Sequence, residues 1–168
     1  MYIEDEGFSN AYKKMCLYLL ESGEKSCPRN MDTQEVEGAM IKVKNPRSRI
    51  INHEIRNVSI SFAIGEWLWH MEGRNDLKMI KYYAPSYYKY SDDGKKLNGA
   101  YGPRIKESLT KIVETLKKDP DSRRAVVPIY GKEDVGLDSK DIPCTISFQF
   151  LIRNNKLDMI VNMRSNDI

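Results

Sequence analysis

Cysteine is scarce in this chain of 168 residues, and the three present, Cys16, Cys27 and Cys144, are an odd and scattered set. They have neither the short paired spacings of a zinc site nor the even count of a disulfide framework, so no metal is expected and reduced thiols are. No apolar run approaches the roughly 20 residues that cross a bilayer, and the first residues show no basic-then-apolar leader. A soluble, cytoplasmic protein is the expectation. Charge of one sign is also in short supply: 27 basic against 24 acidic residues leave a formal net charge of +3. That is too little to argue for nucleic acid or a membrane surface as partner, although it suits a small anionic ligand. There is no internal repeat, no low-complexity stretch and no phosphate-binding glycine loop. The two histidines, His53 and His70, form no pattern with a cysteine that a thiol protease would need.

What the chain does contain is enough apolar residue, 40%, for one ordinary core, and a single domain over 1–168 is expected. Tyr12, Met15, Cys16, Leu19 and Leu20 predict a helix over about 9–21, stopped by Gly23, with Cys16 in its core face. The polar stretch 21–33 reads as loop, and alternation over 39–44 as a strand closed by Asn45-Pro46. Ile60, Ile64, Trp67, Leu68 and Met71 predict a largely buried helix over 59–71, which carries Glu66 among apolar neighbours. A shorter helix follows residues 73–76, and the tyrosines 82, 83, 87, 88 and 90 read as ordinary packing. A third long helix over about 103–118 buries Ile105, Leu109, Ile112, Val113 and Leu116, with Lys117 and Lys118 at the negative end of its dipole. Residues 125–130 read as a strand in which Pro128 demands an edge or a bulge.

The most informative segment is the last. From Thr145 to Arg153 and again from Lys156 to Arg164 the pattern alternates, broken by Asn154-Asn155 as in a two-residue hairpin. The implied register sets Ile152 opposite Leu157, Phe150 opposite Met159, Phe148 opposite Val161, Ile146 opposite Met163 and Cys144 opposite Ser165. Four apolar pairs in a row make a core face. The other face carries Thr145, Ser147, Gln149, Asn162 and Arg164, polar groups suited to lining a cavity. In a flat ladder Cys144 and Arg164 would point to opposite faces, so a contact between them requires a bulge or a strong twist near the strand end.

Four segments then converge: Asp119-Pro120-Asp121-Ser122-Arg123-Arg124, Pro143-Cys144-Thr145, Arg164-Ser165-Asn166-Asp167, and Tyr101-Gly102 in a glycine turn. Their order and content resemble the thymidylate synthase superfamily, which includes the deoxycytidylate and cytidylate hydroxymethylases, from roughly Arg29 onward. The resemblance implies an α+β fold with a mixed sheet and covering helices, a homodimer, and one-carbon transfer from 5,10-methylenetetrahydrofolate to carbon 5 of a pyrimidine nucleoside monophosphate. Carbon 5 is a poor nucleophile until a thiolate adds at carbon 6, and Cys144 is the implied nucleophile, with Arg164 placed to favour its thiolate form. By the same resemblance Arg164, Ser165 and Arg29 bind the nucleotide phosphate, and Arg123 and Arg124 reach the phosphate of the other subunit as bidentate forks. Glu66 is the implied organiser of water and proton transfer, Tyr101 stands near the carbon-5 proton, and Asp167 holds the pterin of the folate.

Two departures qualify the resemblance. Thymidylate synthases usually carry histidine after the nucleophile and glutamine before the phosphate arginine, where this chain has Thr145 and Met163. Family members also continue past Ile168, so an incomplete domain is expected, without the C-terminal part of the fold or the residue that distinguishes uracil from cytosine. The leading expectation is thymidylate synthase, dUMP to dTMP. The alternatives are a dCMP or CMP hydroxymethylase, and a non-catalytic nucleotide-binding relative.

Overall fold

The computed structural model describes residues 1–51, 53, 56 and 58–167, which fall into two compact units, Met1–Val58 and Ser59–Asp167. In the first, strand β1 (Tyr2–Asp5) pairs in parallel with β4 (Met40–Val43), and helix α1 (Phe8–Ser22) packs on the pair. The core there is Ile3, Ala11 and Met15, with Phe8, Tyr12 and Ile41 around it. This corrects the expected stripe: the turn at Ala11 faces the strand pair, while Leu20 is exposed and Cys16 half-buried. The stretch expected to be loop carries a short antiparallel pair, β2 (Glu24–Ser26) with β3 (Thr33–Glu35), joined through a 3-10 turn at Pro28–Asn30.

The second unit is built from α2 (Ile60–Met71), α3 (Leu77–Tyr83), α4 (Tyr101–Lys118) and an antiparallel sheet in the order β5 (Val126–Pro128), β6 (Thr145–Arg153), β7 (Lys156–Met163). Ser59 caps α2 by accepting the Phe62 N–H, and Asp76 caps α3 by accepting that of Met79, each satisfying one of the orphan donors of a helix start. Pro128 lies on an edge strand, as its missing N–H requires. One core cluster joins Trp69, Leu77, Ile80, Leu97 and Ala100. A second sets Ile112 of α4 against Ala125, Val127 and Ile129, with Phe148 and Phe150 of β6 packed on it.

The buried face of α2 is not the expected one. Gly65 and Trp69 are buried, whereas Ile60, Ile64, Trp67, Leu68 and Met71 are exposed, Trp67 to 58%. The helix is apolar on nearly every side, so its period could not decide which stripe faces inward.

The hairpin register is the expected one from Arg153↔Lys156 through Ser147↔Asn162, and both turn residues take positive φ, 51° at Asn154 and 57° at Asn155, as a type I′ turn requires. Phe148 and Phe150 reach the core, but the β7 members of the apolar face, Met159 and Val161, are exposed. Between Thr145 and Ser147 the ladder shifts by one residue, so Thr145 pairs with Met163. The expected pairs Ile146 with Met163 and Cys144 with Ser165 therefore do not form, and Ile146 is the extra residue of a bulge.

Candidate active site

The bulge is what brings the thiol to the guanidinium. Beyond it, the Arg164 N–H donates to the Cys144 carbonyl at 2.9 Å. The Arg164 side chain folds back over the segment that precedes the cysteine: Nε donates to the Pro143 carbonyl at 2.9 Å and Nη2 to that of Ile142 at 3.1 Å, and Nη2 lies 3.8 Å from Cys144 Sγ. These contacts use Nε and Nη2, and the Nη1 donors of the fork remain for an anion. Ser165 is half-buried, and its hydroxyl lies 3.4 Å from the exposed carboxylate of Asp167.

Tyr101, the first residue of α4, meets the chain one residue past the thiol. Its hydroxyl accepts the Thr145 N–H at 3.2 Å, and its ring meets that of Phe148 edge-on at 6.4 Å. The close approach of α4 to the end of α2 depends on Gly102, where a Cβ would lie 2.8 Å from the Arg74 carbonyl oxygen and 3.0 Å from that of His70. The imidazole of His70 stacks on Tyr101, centroids 5.5 Å apart and planes at 16°. Its Nδ1 is buried without a hydrogen-bond partner among the described residues. Burial pushes the His70 imidazole below its ordinary value, with the carboxylate of Glu66 pulling the other way, so the ring is neutral at neutral pH.

Glu66 precedes His70 by one helical turn and so shares its face. It accepts the Tyr87 hydroxyl at 2.6 Å. Burial first, and then this hydrogen bond, hold the Tyr87 phenol well above its ordinary range. The structure thus sets five groups in succession: Glu66 one turn before His70, His70 stacked on Tyr101, Tyr101 bound to the residue after Cys144, and Cys144 beside Arg164. The family resemblance named four of these five. His70 and Tyr87 were missed, Tyr87 because a contact spanning 21 residues leaves no period, His70 although its offset of four from Glu66 was visible.

The remaining residues singled out by the sequence lie elsewhere. Arg123 and Arg124 are exposed on the loop between α4 and β5, where the Arg123 carbonyl accepts from Gln149 Nε2 at 2.9 Å. Gln149, midway along β6, is five residues from Cys144, roughly 16 Å at the rise of an extended strand, so these two arginines stand beside the middle of β6, away from the thiol. Arg124 also lines an open cleft of about 560 Å³ with Thr115, Lys118 and Asp119. Arg29 belongs to the unit Met1–Val58, exposed at the 3-10 turn with a positive φ of 53°. Among the described residues no group of three or more His, Cys, Asp or Glu side chains could hold a metal ion, and no helix is long and apolar enough to cross a membrane.

Two braces hold the Cys144 end. Arg104 of α4 forms a forked pair with Asp134, 2.5 Å from Nη1 to Oδ2 and 2.9 Å from Nη2 to Oδ1, and also donates to the carbonyls of Ile129 and Asn98. The guanidinium beside it holds the Asp134 carboxyl below its ordinary value. The half-buried carboxylate of Asp141 accepts the Gly99 N–H at 2.7 Å, and burial pushes this carboxyl up.

The helices and the antiparallel sheet of the second unit define a thymidylate synthase-like fold, and solved structures share it. The thermostable thymidylate synthase A from Bacillus subtilis aligns with 95% of this chain and 65% of its own, at a TM-score of 0.69 and 18% identity. The thymidylate synthase of T4 phage aligns with 67% of this chain and 46% of its own, at 0.57 and 20%. A family model described as Thymidylate synthase matches residues 10–168, and the chain belongs to that family. It is 32% identical over 174 residues to a deoxyuridylate hydroxymethyltransferase of Bacillus phage SP01, covering 94% of this chain and 45% of that protein. A protein of the same name from Pseudomonas phage M6 is 35% identical over 130 residues, covering 73% and 37%, and one from Delftia phage PhiW-14 is 32% identical, covering 86% and 44%. The chain spans about half the length of the curated relatives it matches.

Proposed function

We propose that the protein carrying this chain transfers a one-carbon unit to carbon 5 of deoxyuridylate and closes the reaction with water, giving a hydroxymethyl rather than a methyl product. The observation that carries this is the bulged hairpin end, where Cys144 Sγ lies 3.8 Å from Arg164 Nη2 and the Tyr101 hydroxyl accepts the N–H of the next residue. The expectation of dUMP to dTMP gives way here, because relatives over most of this chain bear the name deoxyuridylate hydroxymethyltransferase.

In this mechanism the thiolate of Cys144 adds to carbon 6 of the uracil, and the electron pair displaced to carbon 5 makes that carbon the nucleophile. Arg164 stabilises the thiolate before addition, while its free Nη1 donors and the Ser165 hydroxyl hold the nucleotide phosphate. The family resemblance gives Arg29 a phosphate-binding role as well, and Arg123 and Arg124, beside the middle of β6, serve the site of a second copy in a homodimer. 5,10-Methylenetetrahydrofolate supplies the one-carbon unit as co-substrate. The exposed Asp167 carboxylate, touching only Ser165 among the described residues, suits the donor-rich edge of a pterin. Tyr101 orients the group that removes the carbon-5 proton, and with that loss the bond from the new methylene to the folate nitrogen breaks and tetrahydrofolate leaves. Glu66, held by Tyr87, orders the water that adds to the resulting exocyclic methylene, after which the bond from sulfur to carbon 6 breaks and frees Cys144.

The test is incubation of the full-length protein with dUMP and 5,10-methylenetetrahydrofolate, with products read by mass. A hydroxymethyl nucleotide without dihydrofolate is expected. dTMP with stoichiometric dihydrofolate would return the methyl reading, and turnover surviving in Cys144→Ala would remove the nucleophile assignment.

A further inference from the structure

Three residues ahead of the thiol, Asp141 joins two segments that are 42 residues apart in sequence. Its carboxylate accepts the Gly99 N–H at 2.7 Å, its carbonyl accepts from Asn98 Nδ2 at 3.3 Å, and its own N–H donates to Ser139 Oγ at 3.2 Å. Gly99 is buried two residues before Tyr101, and a Cβ there would lie 2.7 Å from Asp141 Oδ1 and 2.9 Å from the carboxyl carbon. The approach is therefore closed to any other residue without displacing the carboxylate. A second link between the same two segments, Thr145 N–H to the Tyr101 hydroxyl at 3.2 Å, lies just past the thiol. Cys144 is thus carried on a short strip tied at both ends to the Tyr101 turn, and Arg164 grips the carbonyls of Ile142 and Pro143 on that strip.

The strip has no regular structure of its own, so its position comes from these ties. Releasing Gly99 frees the Asp141 side chain and leaves the backbone of residues 141–143 to the weaker ties of Asn98 and Ser139 and to Arg164, whose grip on two carbonyls is what brings Nη2 near the sulfur. A neutral acceptor would serve the Gly99 N–H equally well, because the bond needs a carbonyl-type oxygen at the right place and not a full charge.

We propose that Asp141 is a positioning residue that latches the strip 141–144 to Gly99, and thereby sets the thiol of Cys144 against Arg164 and Tyr101 at once. The proposal rests on the reading of Cys144 as nucleophile; the latch geometry itself does not.

The test is alkylation of Cys144 by iodoacetamide on the folded chain, followed by mass spectrometry of its peptide, at about pH 7 and about pH 9.5. Only the thiolate reacts, so the ratio of the two rates reports how far the surroundings favour it, with differences in access divided out. Asp141→Ala should lower the ratio on the order of threefold, Asp141→Asn should leave it at the wild-type value, and Gly99→Ala should reproduce the loss. A folded Asp141→Ala chain with a lower thermal midpoint but an unchanged ratio would overturn the latch, because a merely structural carboxylate predicts that result. So would an Asp141→Asn chain that loses as much as the alanine variant. If Asp141→Ala does not fold, the Gly99→Ala ratio decides in the same two ways. A wild-type ratio no higher than that of the urea-unfolded chain would instead strike the nucleophile assignment and the latch with it, an outcome separable from failure of the latch alone.

Discussion

The Thr145 end of β6 and the region beside its middle are built in opposite ways. At the Thr145 end a bulge, the half-buried carboxylate of Asp141 and the closed fork of Arg104 and Asp134 brace the chain, and the Arg164 guanidinium is already engaged with backbone carbonyls. On the open side, beside Gln149, the side chains of Arg123 and Arg124 stand exposed, neither meeting a carboxylate among the described residues, next to an edge strand of three residues. The first is held fast, as the chemistry proposed for it requires, since reacting groups must be fixed to within a fraction of an ångström. The other displays cations that can wait for an anion, since a solvated guanidinium costs nothing to leave unpaired. A pair of such sheets related by symmetry could put the open side of one at the closed end of the other, which is the arrangement proposed above for a homodimer.

The sharpest way to break this contrast is to open the closed end. The Asp134 side chain is 0% exposed and that of Arg104 16%, and removing one partner of a buried pair leaves an uncompensated charge. Asp134→Ala should cost about 3–5 kcal/mol in urea or thermal unfolding, whereas Arg124→Ala on the open side should cost under about 0.5 kcal/mol. Comparable losses would mean that the Thr145 end is not the braced one.

Next in size is the effect on the thiol itself. Arg164→Gln keeps a hydrogen-bonding amide near the carbonyls of Ile142 and Pro143 but removes the positive charge beside Cys144. The alkylation rate of Cys144 at neutral pH should fall on the order of tenfold, about 1.4 kcal/mol. Arg123→Gln and Arg124→Gln, some five strand residues away, should leave that rate unchanged. A drop in either of those would show that the two regions communicate within one chain.

How much of this was legible in the sequence depends on the range of the contact. The hairpin register followed from alternation and from Asn154-Asn155, because period and turn chemistry are local. The need for a distortion near Cys144 could be argued before its place was known, since a flat ladder puts Cys144 and Arg164 on opposite faces. The inward face of α2 could not be read: with Ile60, Ile64, Trp67 and Met71 on one side and Phe62, Gly65 and Trp69 on another, both stripes fit a helical period. Strand β1, only four residues long, carried too little pattern to register, and the pair β2 and β3 lies in a polar stretch. The polar pairs that build the site, Tyr87 with Glu66, Arg104 with Asp134 and Asp141 with Gly99, span 21 to 42 residues. Nothing in the spacing of one partner predicts the other, so the residues of the site could be named while the groups that hold them could not.

The smallest expected effect separates two aspartates that brace the same end with opposite titration. The guanidinium of Arg104 holds the Asp134 carboxyl below its ordinary value near 3.8, so this group contributes stability at all pH above that value and loses it as pH falls through its native value. Burial raises the Asp141 carboxyl above the same ordinary value. Its contribution is complete below 3.8 and is lost as pH rises through the raised native value, so at neutral pH the ionised latch is a small net cost. Urea midpoints followed from acid to neutral pH should therefore show two components of opposite slope. Asp134→Asn should flatten the acid side, where the wild type loses stability on further acidification, and Asp141→Asn should remove the decline that sets in above 3.8. If Asp141→Asn instead steepened that decline, its carboxylate would be stabilised as an anion in the fold, and the desolvated environment assigned to the latch would be wrong.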